Sequence, residues 1–212
     1  MQISWHGLSC FSLTVSSING DATLVVDPYQ AEVGLKLSRT LAADVVAMTH
    51  GGDDANNAEA VGPTSHGAPF VIDMAGEYEA KGIFVHAIDV GGHQRILLIE
   101  AEGMSVAHLG AINRELTNDE LEALSNVDIL LVPIGGGRFL SPKMAVEVIA
   151  QIEPRIVIPY AYAVDGLKEK LEPLDAFCKA LGVCKRENVS KLKISRKNLP
   201  EEEMMIYVLE RA

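Results

Sequence analysis

No apolar run in this 212-residue chain approaches the ~18 residues that a membrane span requires. The opening MQISWHGLSC lacks the basic-then-apolar pattern of a signal peptide. A cytoplasmic protein without a membrane partner is therefore expected. Cysteine is scarce. Cys10, Cys178 and Cys184 are an odd number with no C-x-x-C spacing, which suits a reducing compartment, and Cys10 and Cys178 sit among apolar residues as small core side chains would. Positive charge is short as well: 18 Lys and Arg against 29 Asp and Glu leave a net charge of −11. Such a surface repels phosphates, so a nucleic-acid partner is not expected. The exception is local. Lys185, Arg186, Lys191, Lys193, Arg196 and Lys197 face the single acid Glu187, and they read as a Lys-protected edge strand in preference to a phosphate-binding patch. Linkers, low-complexity tracts and fixed-period repeats are also missing. Residues 1–212 thus form one domain, large enough to bury roughly 70% of its unfolded surface.

What is present is an ordinary globular composition, 48% apolar and 22% charged. The first half reads mostly as strand. ISW, SCFSLTVSS and TLVVDP are β-rich runs broken by Gly7 and an NGD turn at 19–21, and DVVAMT is a compact apolar run ending at His50. Asn56 with Glu59 three residues on is a capping-box pattern, predicting a short helix stopped by Gly62 and Pro63. PFVID, GIFVHAIDV, RILLIEAEG and MSVAHLG supply four more strands. The second half alternates. Thr117 and Glu120 cap one helix, and Ser141-Pro142 opens another whose Met144, Ala145, Val148, Ile149 and Ile152 share a face. Pro173 to Leu181 is a last helix stopped by Gly182, VDILLVPIGG and RIVIPYAY are strands, and KLKIS with MMIYVLE is a closing strand pair. The pattern favours an α/β architecture (α+β by some schemes): two packed sheets with helices outside, an αββα sandwich.

Sites in such folds form where loops leave the C-terminal ends of strands. Four loops carry candidates: His50 to Asp54, DVGGHQ with His93, AHLGA with His108, and IPYAY. His and carboxylate groups gathered from them would suit a catalytic metal with an open position for water. Elsewhere, His6 beside Trp5 reads as a packed histidine, His66 as solvent-exposed and His86 as an outward strand position. Glu77 and Glu79 are a weak carboxylate pair in a turn. GGGRF at 135–139 lacks the Lys-Ser/Thr of a phosphate-binding P-loop and reads as a shape-making loop.

ISWHGLSCF, LVVDPY, DVVAMTHGGDDANN, PFVIDMAGEYEAKGI, AHLGA, LTNDELEALSNVDILLVPIGG and RIVIPYAY together resemble the short bacterial metallo-β-lactamase-fold hydrolases, the branch that includes the ascorbate-phosphate lactonase. The resemblance implies an αββα fold with a two-metal site at one edge. It also implies that most ligands are gone. The family loop T-H-x-H-x-D-H reads Thr49-His50-Gly51-Gly52-Asp53-Asp54-Ala55, so His50 and Asp54 match ligand positions while Gly52 and Ala55 replace two others. H-L-G-D ends in Ala111, P-x-H-Y has Ala161 for its histidine, G-H-S-C-F has Leu8 for its own, and Gly92 stands near another ligand position with His93 beside it. Gly and Ala offer no donor, so ligands are removed and not exchanged. The residual metal set is His50, Asp54 and His93, with His108 a hydrogen-bonding residue of the pocket. No cofactor is the expectation, one Zn or Mn the alternative. The chain then reads as a binding, assembly or regulatory homologue of unknown partner, a homo-oligomer being open. The alternative is a one-metal hydrolase of a lactone, ester or phosphoester, and a weak anion binder through 185–197 is third.

Overall fold

The computed structural model describes residues 1–17, 20–182, 184 and 186–212. Asn19 of the expected NGD turn and Lys185 of the basic stretch lie outside them. Fourteen strands form two sheets among the described residues. In the first sheet, β1 (Gln2–Gly7), β2 (Cys10–Ser17) and β3 (Gly20–Val26) are an antiparallel meander, which β4 (Val45–Ala47) and β5 (Phe70–Ile72) extend in parallel. In the second, β6 (Gly76–Ala80), β7 (Ile83–Asp89), β8 (Arg95–Ala101) and β9 (Met104–His108) run antiparallel. Then β10 (Ile129–Pro133), β11 (Ile156–Tyr160) and β14 (Met205–Leu209) continue parallel to β9, with β12 (Arg186–Val189) outermost. β13 (Leu192–Lys193) pairs with β1 at the edge of the first sheet.

Period-two alternation explains the layering. Phe11, Leu13, Leu24 and Val26 turn inward to meet Ile99 and Val106 of the second sheet in the main core. Their neighbours Cys10, Val25 and Val46 turn outward onto Tyr29, Leu35, Leu41 and Val61 in a second, smaller core. That outer layer is made of loops and two 3-10 turns (Ala31–Val33 and Ala58–Ala60) where an α-helical layer was expected. The second sheet's outer layer includes α2 (Pro142–Ile152), α3 (Leu174–Leu181) and the short α1 (Asn118–Ala123). α2 buries Ala145, Val148, Ile149 and Ile152, the face read from the sequence, and Ser141 caps it through Met144 N.

Four expectations are corrected. The helix at Asn56 is a single 3-10 turn with Asn57 at its N-cap and no side-chain cap bond, because the Asn56 amide donates to Gly51 O instead. GEYEAKG holds a strand, β6, and not only a turn. KLKIS and MMIYVLE go to different sheets, since β13 joins β1 and β14 joins β11. Cys178 is disulfide-paired with Cys184, their Cα atoms 5.1 Å apart, leaving Cys10 free and buried. Only part of the basic stretch falls on edge strands: Arg186 and Lys193 lie in β12 and β13, which end their sheets, while Lys191 sits in the bend between them and Arg196 and Lys197 in a 3-10 turn. No helix among the described residues is long and apolar enough to cross a membrane.

Candidate functional site

The C-terminal ends of β3, β4, β9, β10 and β11 come together at one edge of the sandwich. β3 is followed directly by Asp27, a buried carboxylate with φ 47°. It accepts hydrogen bonds from Thr49 N and Thr49 Oγ1, both at 2.7 Å, which fixes the turn leaving β4. Burial raises its pKa to about 7, against the opposing pull of His50 and the Thr49 bonds. From the other sheet, Arg95 binds the same turn, donating from N to Thr49 O and from Nε to Met48 O. The following loop is pinned to the end of β3 as well: Gln30 N donates to Asp53 O and Asn57 N to Pro28 O.

In this frame His50 and Asp54 are brought together. His50 Nδ1 accepts from Gly52 N at 3.1 Å, so the ring proton sits on Nε2, which lies 3.2 Å from Asp54 Oδ2 but off the line of a hydrogen bond. Both residues are buried. A Cβ at Gly52 would come within 2.8 Å of Asp54 Oδ1 and 3.0 Å of His50 Nδ1, so this position has room for glycine only while the pair stays as it is.

A third charge completes the cluster. Arg138 Nη1 donates to Asp54 Oδ2 at 2.5 Å. Its other edge grips Glu169, from Nε to Oε1 at 2.8 Å and from Nη2 to Oε2 at 2.7 Å, the bidentate fork that suits guanidinium and carboxylate. The guanidinium also lies 4.3 Å from the ring centre of buried Phe139. Burial would raise the Asp54 carboxyl and lower His50, but their mutual contact and neighbouring charges outweigh it. Asp54 is held below the ordinary carboxylate range and His50 above the ordinary histidine value.

Glycine makes this delivery possible. Gly135 follows β10 so closely against the end of β11 that a Cβ there would lie 2.0 Å from Ala161 O. Gly136 and Gly137 then turn with φ 71° and 66°, and Gly136 N closes on Leu140 O. GGGRF is a shape-making loop, as read, yet what it shapes is the position of Arg138. The sequence reading missed that residue and Glu169. The triplet of glycines beside a lone arginine was the available signal for the first; nothing in KEKLE marks the second.

The remaining candidates are dispersed. His108 lies fully buried, its Nε2 2.9 Å from Ser9 O and its ring stacked on Tyr160 at 4.8 Å. Burial pulls its pKa down to about 4 despite the Ser9 bond, so it is neutral at ordinary pH. His93 stands exposed in the β7–β8 turn, in a recess with Met74, Asp89 and Arg95. Among the described residues no group of three or more His, Cys, Asp or Glu side chains is gathered to hold a metal ion. Ala55, Ala111 and Ala161 are buried, and Ala161 adopts a left-handed φ of 51°. His6 is buried with Nε2 2.9 Å from Ser12 Oγ. His66 is exposed, though its ring meets Asp44, and His86 points outward beside Glu77 and Glu100.

A model of the β-lactamase superfamily domain matches residues 2–161. A UPF0173 metal-dependent hydrolase of Thermoplasma acidophilum is 27% identical over 193 residues, covering 76% of this chain and 83% of its own length. A UPF0173 protein of Pyrococcus abyssi is 28% identical over 201 residues, covering 81% and 91%. In three dimensions the chain is similar to one from Thermotoga maritima described as a Zn-dependent hydrolase of the metallo-β-lactamase superfamily. The TM-score is 0.80 at 28% identity, over 99% of this chain and 100% of that one.

Proposed function

We infer the function from one premise: this chain belongs to the metallo-β-lactamase superfamily. Within it, we propose a member that no longer catalyses metal-dependent hydrolysis and serves in binding, assembly or regulation. The observation that carries this reading is the occupancy of Asp54. Its Oδ2 already meets the Arg138 guanidinium at 2.5 Å and His50 at 3.2 Å. A divalent cation brought to that oxygen would be repelled by a permanent positive charge, and it would find one imidazole and one carboxylate where a catalytic zinc takes three protein ligands. This donor set does not fit a catalytic metal, so no reaction step is assigned to one. Fold and activity separate readily here, because the sheets form the core and the chemistry sits on loops.

The relatives' names favour a second reading, a metal-dependent hydrolase; in this chain it would take the form of a lactone, ester or phosphoester hydrolase using one metal at His50, Asp54 and His93. It requires His93 to leave its exposed turn and Arg138 to withdraw. Metal analysis of protein purified without chelator separates the two. The non-hydrolytic reading expects under about a tenth of an equivalent of Zn, Mn or Fe, and no thermal shift on adding any of them. Near-stoichiometric metal, with an esterase or phosphodiesterase activity that His50→Ala abolishes, would overturn it.

A further inference from the structure

The role left open by the missing ligands belongs to a side chain of this protein. We propose that Arg138 is a built-in cation: it supplies at Asp54 the positive charge that a metal would supply, and through Glu169 it fastens the segment 161–173 across the His50–Asp54 pair. The inference deepens the non-hydrolytic reading and rests on it.

Three observations converge. First, the guanidinium is aimed. Gly135 permits a backbone approach that any other residue would block, and Phe139 backs the planar group on one face. Second, it is shared between two carboxylates on different segments: Asp54 after β4, and Glu169 after β11. Third, the segment carrying Glu169 is docked at two backbone points and closed on itself. Lys168 N donates to Val33 O at 2.9 Å and Glu172 N to Gly135 O at 2.8 Å, while Ala163 N to Glu172 O at 3.0 Å is internal to the segment. Beside these bonds, the Arg138–Glu169 fork is the contact that joins the strap to the buried pair. Asp54 without a partner would be a buried carboxylate in poor surroundings, which is costly; with Arg138 it is matched.

The test is a double-mutant cycle on the whole chain, using Asp54→Asn, Arg138→Gln and both together, melted after chelator treatment and again with zinc chloride alone. Arg138→Gln strands the buried Asp54 carboxylate, and Asp54→Asn removes the charge that Arg138 and His50 share, so each is expected to lower the melting temperature by about 5 °C, and the double by about the same instead of by the sum. Additive losses overturn the proposal. So does coupling that vanishes when zinc is added, since a metal would then be displacing Arg138. Glu169→Gln, at a part-exposed position, tests the strap separately. Amide exchange at Ala163, Lys168 and Glu172 is expected to accelerate at least about fivefold while β4 and β10 keep their protection, and unchanged exchange overturns the fastening role. Metal found in purified protein with the coupling intact would sink the non-hydrolytic reading and, with it, the replacement of a metal by Arg138, whereas lost coupling in metal-free protein overturns this proposal alone.

Discussion

Gly135 is the residue on which the site's geometry turns. An alanine there would place its Cβ 2.0 Å from Ala161 O, a clash with backbone that no rotamer relieves. Gly135→Ala is therefore expected to cost about 3 kcal/mol or more, read as a lower urea midpoint at unchanged slope. Gly51→Ala is the control. It sits exposed in the neighbouring loop with nothing within 4 Å of the added carbon, and its cost should stay within about 0.5 kcal/mol. If the two variants melt together, the close approach of β10 and β11 does not govern this loop. At this scale the sequence discloses some contacts and hides others. His50 and Asp54 are four residues apart in one loop, so their meeting is legible from spacing. Arg138 reaches Asp54 across 84 residues, and Glu169 lies 31 further on. Contacts of that range depend on which strands lie side by side, and no local pattern encodes it.

Elements show the same division through two capping boxes that look alike in the sequence. At Thr117 the pattern is realised in full: Glu120 N donates to Thr117 Oγ1, and Thr117 N donates back to Glu120 Oε2. Arg114 secures the same carboxylate through Nη1 and Nη2, so a helix of only six residues is held at its first turn. At Asn56 the same spacing yields one 3-10 turn, because the amide is drawn to Gly51 O and Gln30 Nε2 donates to its oxygen. A tertiary contact outbids a local propensity there. Thr117→Ala should accordingly cost about 1 kcal/mol, whereas Asn57→Ala, whose position makes no side-chain cap bond to its turn, should reflect only the loss of its bond to Tyr29 O. Equal losses measured by chemical denaturation, each removed by restoring a capping residue alone, would contradict this assignment. β13 and β14 carry the same lesson. Each is recognisable as a strand from its apolar alternation, but the partner is chosen by sheet topology.

Taken as a whole, the molecule is two sheets that share a core and are tied at the end remote from the candidate site by two carboxylates. Asp44, just before β4, accepts from Thr23 N and Thr64 Oγ1, meets His66 Nδ1 at 2.7 Å, and pairs with Lys81 Nζ at 3.4 Å. Lys81 belongs to the β6–β7 turn, so this cluster joins the first sheet to the second. Glu102, in the β8–β9 turn, does the converse: it accepts from Ser16 N at 2.6 Å and pairs with the amino terminus. Burial would raise the Asp44 carboxyl, but those hydrogen bonds and the Lys81 charge outweigh it and hold the pKa at about 2; Glu102 is lowered likewise by the amino terminus and Ser16. A carboxyl whose folded pKa is depressed stabilises the fold above its unfolded value, and that contribution drains away as pH falls toward the folded value. The Asp44 tie should therefore hold fully above about pH 5 and weaken from there toward pH 2, and the Glu102 tie weakens in the same direction as pH falls. Asp44→Asn is expected to lower stability at pH 7 by up to about 2 kcal/mol. The gap to the wild type should narrow steadily below pH 4, where the Asp44 carboxyl of the unfolded chain takes up a proton while the native one stays charged until the pH nears its own value of about 2. Urea midpoints for both proteins at pH 7, 4, 3 and 2.5 measure that gap. A difference that stays constant over the series would mean that Asp44 acts by packing alone and that its charge does not tie the sheets.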